Sequence, residues 1–150
     1  MPEFRFKLDS VLRYRRSRRE LCLQYRAEVL SDDRELLAQR DDLLSRRESQ
    51  LQELRAIGRA GKVSVDRATA RRYHIGRLSG EIRAVDHRRS LVAGQIELCR
   101  KAVAQAESEV KVLEKLQAKQ AALARSAELR SEARELEEIW HAVRLREVST

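Results

Sequence analysis

The chain is poor in the residues that bend or stop a helix. It has one Pro, five Gly and no Asn in 150 residues, too few turn formers to join a set of strands. Aromatics make up 4%, thin filling for a compact core of this length. Its two cysteines, Cys22 and Cys99, have neither metal nor redox spacing, so reduced thiols in a reducing compartment are expected. No apolar run approaches the ~20 residues that cross a bilayer, and no signal peptide opens the chain. The expectation is a soluble, cytoplasmic protein.

Catalytic patterns are missing too. There is no Gly-rich phosphate loop and no GxSxG. His74, His87 and His141 are far apart and lack metal-ligand spacing. Acidic neighbours such as Asp32-Asp33, Asp41-Asp42 and Glu137-Glu138 point in different directions from a helix, so they cannot share a substrate. A two-helix chain also lacks the concave pocket that catalysis uses. No enzyme activity, cofactor, metal or small-molecule substrate is expected.

What the chain does have is charge. Asp, Glu, Lys and Arg make up 37% of it, with a net charge of +8. Together with abundant Leu and Ala, this composition reads as long helices. The basic excess sits in two zones, residues 1–20 and 61–90, which suits separate acidic docking sites.

Breakers divide the chain once. The stretch 58–64, Gly58-Arg59-Ala60-Gly61-Lys62-Val63-Ser64, is the expected turn. It separates a helix over 9–57, capped by Asp9 or Ser10, from a helix over 65–146, capped by Ser64 or Asp66. The second helix carries a seam at alternating 3 and 4 spacing: Ile75, Leu78, Ile82, Val85, Arg89, Val92, Ile96, Cys99, Val103, Ala106, Val110 and Leu113. This is a heptad row that wants a partner helix. Near Leu113 to Leu116 its phase slips, and a second register follows through Leu129, Ala133, Leu136, Trp140 and Val143.

The first helix carries Leu23, Leu30, Leu37, Leu44 and Leu51 at steps of seven, beside Cys22, Val29, Leu36 and Leu43. The other half of each heptad is polar, with Arg26, Asp33, Arg40 and Arg47. A half-apolar stripe of this kind does not hold a helix in water without a partner. Folding about residue 61 pairs positions whose numbers sum to about 122. That register sets 9–57 against 65–113, and Asp33 against Arg89. A buried Arg–Asp pair adds little net stability but penalises slipped registers. The fold expected is therefore all-α: two long helices form a monomeric antiparallel coiled-coil hairpin as a single domain over 1–150. The second helix is the longer and overhangs at its C-terminal end. Gly76, Gly80 and Gly94 fall on outward positions.

A dimeric coiled coil, structural or nucleic-acid-binding, is the alternative, since Arg13, Arg15, Arg16, Arg18 and Arg19 precede the leucine heptads as in a basic zipper. Against nucleic acid, the chain has Arg5 where such regions read bases with Asn. A zipper would also leave the seam from Ile75 to Leu113 unexplained.

The N-terminal string Phe4-Arg5-Phe6-Lys7-Leu8-Asp9-Ser10-Val11-Leu12-Arg13 resembles the opening of the flagellar FliJ family, F-x-F-x-L-x-x-V-L before a long charged helix. Glu109-Val110-Lys111-Val112-Leu113-Glu114-Lys115-Leu116 resembles that family's E-x-x-x-L-E-K-L segment. Glu135-Leu136-Glu137-Glu138-Ile139 resembles its C-terminal signature. The resemblance implies a non-enzymatic stalk and adaptor of the bacterial flagellar type III export apparatus, cytoplasmic and peripheral to the inner membrane through its partners. Those partners would be the hexameric export ATPase, the cytoplasmic domain of the export gate and export chaperones. By the same resemblance, ATPase and chaperone contacts would include Phe4, Phe6, Leu8, Val11, Leu12, Arg13 and Arg15, with Glu109, Leu113, Glu114, Leu116, Leu136 and Ile139. Gate contacts would include Tyr73, Leu78 and Ile82. Core packing alone also accounts for Leu78, Ile82, Leu113 and Leu116, and Phe4 and Phe6 can equally staple the helix end.

Overall fold

The structure is a computed structural model and describes residues 3–60 and 65–149. It contains two helices, α1 (Asp9–Arg59) and α2 (Val65–Val148), packed against each other, with no strand among the described residues.

Local chemistry sets the ends. The Leu8 carbonyl accepts the N–H of Leu12 at 2.9 Å, and the Phe6 carbonyl accepts that of Asp9 at 3.2 Å. Leu8 therefore holds the cap position expected for Asp9 or Ser10. Asp9 instead occupies the first turn, where its charge complements the positive end of the helix, and it pairs with Arg13 at 2.8 Å. At the other end α1 continues through Gly58 and Arg59, two residues past expectation, and the Ala60 N–H still reaches the Ala56 carbonyl at 3.2 Å. One Gly in a last turn costs about 1 kcal/mol and does not by itself end a helix. The rest of the expected turn, Gly61 to Ser64 with its candidate cap Ser64, lies outside the described residues. Asp66 sits in the first turn of α2, and that helix ends at Val148, two residues past the expected boundary.

The chain divides into two compact units. The larger spans Leu21–Val103. Its core is Leu43 from α1 with Leu78, Ile82 and Val85 from α2, and Leu36 and Leu44 pack against it. The α2 seam is buried or half-buried at every position from Ile75 to Val103. On α1 the inward positions are Cys22, Arg26, Val29, Asp33, Leu36, Arg40, Leu43 and Arg47, again at alternating 3 and 4 spacing. The leucines at steps of seven are thus one residue off the seam: Leu23, Leu30, Leu44 and Leu51 are half-buried and Leu37 is exposed.

Three polar seam residues of α1, Asp33, Arg40 and Gln50, find partners across the interface. Arg89 pairs with Asp33 at 3.2 Å, Arg40 with Asp86 at 2.6 Å, and Arg71 with Gln50 at 2.6 Å and Glu53 at 2.7 Å. As the α1 number rises through 33, 40 and 53, its partner falls through 89, 86 and 71, so the helices run antiparallel. The paired numbers stay close to the expected sum. Asp33 and Arg89 are half-buried rather than buried, so the pair contributes ~1 kcal/mol or less. Its larger effect is on register, because a slipped pairing would leave both charges partly desolvated and alone.

The second unit comprises Met1–Glu20 and Ala104–Thr150. Leu12, with no exposed surface, Val110 at 1% and Phe6 at 7% form its core, and Leu113 and Leu116 pack against them. Fully burying side chains of this size is worth ~1.5–3 kcal/mol each. Beyond Ser126 the burial stops, and every residue from 127 to 149 is exposed.

Candidate docking site

The segment before α1 folds back so that Phe6 reaches the core of the second unit while Phe4 does not. Phe4, Leu8 and Val11 each keep 38–39% of their surface exposed. Phe4, Arg5, Phe6, Asp9, Arg13 and Gln117 line an open groove of about 470 Å³. A groove that combines the Phe4 ring with the Arg5 and Arg13 side chains is a surface suited to a protein partner that brings carboxylates.

The F-x-F-x-L-x-x-V-L opening and the E-x-x-x-L-E-K-L segment meet in the core of this unit. Arg15 donates to Glu109 at 2.6 Å and Arg16 to Glu114 at 3.1 Å. The first pair is about seven-tenths shielded and the second more open. Arg15 also approaches the Tyr14 ring at 6.0 Å. Glu109 accepts a further bond from Gln105 at 3.3 Å. These ties fix the Arg15 and Arg16 head groups against α2, whereas Arg13 is held on the α1 surface by Asp9. Leu12, Leu113 and Leu116 contribute packing here, and Glu109 and Glu114 hold arginines.

The other expected contact residues are dispersed. Leu136 and Ile139 stand exposed on the last turns of α2 at 66% and 60%. Tyr73 is 75% exposed in the larger unit. Leu78 and Ile82, by contrast, are core residues packed with Leu43 and Val85, so no partner can reach them while the helices stay paired. Two exposed aromatics stand outside the expected contact residues. Tyr14 is 62% exposed; it lies one residue ahead of the seam, a position that the spacing does identify. Trp140 is exposed, with the Arg144 guanidinium 4.8 Å from its ring and His141 edge-on at 5.4 Å.

Among the described residues, no group of three His, Cys, Asp or Glu side chains is arranged to hold a metal ion. No helix among them is long and apolar enough to cross a membrane. Compared with known proteins, the chain matches no family model, no curated protein and no solved structure.

Proposed function

We propose that the chain is a non-enzymatic stalk and adaptor of a bacterial flagellar type III export apparatus, binding the hexameric export ATPase, the export gate and substrate chaperones. It would work in the cytoplasm and sit at the inner membrane through those partners. The observation that carries this reading is the meeting of two FliJ-like segments in one unit. Phe6 and Leu12 of the opening pack with Val110, Leu113 and Leu116 of the later segment, and Arg15 and Arg16 clamp its two glutamates. The clamp leaves Phe4, Leu8, Val11 and Arg13 facing outward as an ATPase contact. Tyr73 is the exposed member of the gate set, and Leu136 and Ile139 are exposed members of the ATPase and chaperone set.

Co-purification of the full chain with the export ATPase at moderate salt tests the proposal. Association is expected, with Arg13→Glu and Phe4→Ala each weakening it about tenfold, since exposed anchors of this kind carry ~1–2 kcal/mol. Absence of association, or association indifferent to both substitutions, contradicts it.

A further inference from the structure

The face that α2 buries against α1 loses its large apolar side chains beyond Leu116, its next positions being Gln117, Gln120, Ala124 and Ala127. A separate row then runs through Leu129, Ala133, Leu136, Trp140 and Val143 at the same alternating spacing. At ~100° per residue this row lies about 130° around α2 from the Val110–Leu113 face, so a longer hairpin partner would not cover it. All five residues are exposed, four of them large and apolar. Such a row is a coiled-coil seam without its second strand.

We propose that the second strand is the same row of a second copy of this chain, the two C-terminal arms pairing antiparallel across residues 126–143. The pattern is self-complementary in that direction. When Ala133 faces Leu136 of the second copy, Leu129 faces Trp140, so each layer sets a larger side chain against a smaller one. The flanking charges choose the direction. Antiparallel pairing places Arg130 beside Glu137 of the second copy, twice per dimer. Parallel pairing instead places Glu132 beside Glu137 and Arg125 beside Arg130, like charges both times. An Arg125–Arg146 approach remains in the antiparallel form, at the outermost layer, where salt screens it most. This contact does not depend on the export reading.

A seam of about six layers belongs to the weak, transient class of interfaces, with dimerisation expected over roughly 10–100 µM chain. Sedimentation equilibrium of the full chain under reducing conditions reads it. Leu136→Glu and Trp140→Glu are expected to abolish the dimer with helicity unchanged, because both side chains are exposed. Glu137→Arg is expected to weaken it about three- to tenfold, and Arg130→Glu combined with Glu137→Arg to restore it. A chain that stays monomeric to several hundred micromolar overturns the proposal. So does a dimer untouched by Leu136→Glu, which would form elsewhere, or one strengthened by Glu137→Arg, which would be parallel.

Discussion

Two stretches of α2 carry apolar rows of identical spacing and end in opposite environments. From Ile75 to Leu113 every seam position is buried or half-buried, whereas from Leu129 to Val143 every one is exposed. The difference lies not in the rows but in what faces them. The first row meets α1 residues at matching positions, and the second has nothing from the described chain against it. Heptad spacing therefore identifies a face that gains free energy when covered, while the covering partner is decided elsewhere in the chain or outside it.

Truncation should separate the two stretches most sharply. Leu12→Ala and Leu78→Ala remove fully or nearly fully buried side chains and are expected to cost ~2–4 kcal/mol each in urea unfolding. Leu136→Ala should change stability by less than about 0.5 kcal/mol in dilute solution. Equal losses at Leu78 and Leu136 would break the comparison.

Next in size is the polar layer. Asp33→Ala leaves Arg89 half-buried without its carboxylate and is expected to cost ~1 kcal/mol. Replacing both residues by Leu should recover or exceed the original stability while broadening the register, which paired labels on the two helices would read as a wider spread of distances.

Smaller again, and of opposite sign, are the glycines. A Cβ added at Gly76 or Gly94 meets nothing within 4 Å, so Gly76→Ala and Gly94→Ala should each stabilise by ~0.5–1 kcal/mol in thermal unfolding. A loss at either position would mean that its open face is covered in solution.

The smallest effect concerns Glu97. Two hydrogen bonds from Arg100, at 2.7 and 3.0 Å, hold its carboxyl below the ordinary glutamate range, and the neighbouring positive charges of Arg100 and Lys101 add to this. A carboxylate lowered on folding contributes its stability above the unfolded-state value and loses it as pH falls through the folded-state value. An NMR titration should show Glu97 titrating below the ordinary glutamate range, with most of that lowering lost in Arg100→Ala.

Much of the fold could be read from the sequence because the α2 seam is almost uninterrupted and its one charge, Arg89, has a single acidic counterpart at the matching position, Asp33. Three features could not. The column of α1 that faces inward was ambiguous, since the Leu23 row and the Cys22 row are adjacent and both apolar; the seam took the column whose Asp33 and Arg40 find partners on α2. The α1 terminus was placed early because one Gly weakens a helix without ending it. Among the candidate contacts, Leu78 and Ile82 look alike as core or as docking residues, and only the position of Leu43 opposite them assigns them to packing. Leu136 belongs to a row that nothing among the described residues covers, and Ile139 is exposed next to it in the chain.

The pairing of α1 with the first row of α2 within one molecule is the premise behind each of these contrasts. It is measured most directly by spin labels at Ser31→Cys and Leu91→Cys in a chain whose natural cysteines are replaced, with the labelled protein diluted in excess unlabelled protein. The account predicts a short inter-label separation, set by helix axes ~8–10 Å apart, that survives dilution unchanged. A separation that vanishes as unlabelled chain is added would place the partner helix in another molecule and contradict it.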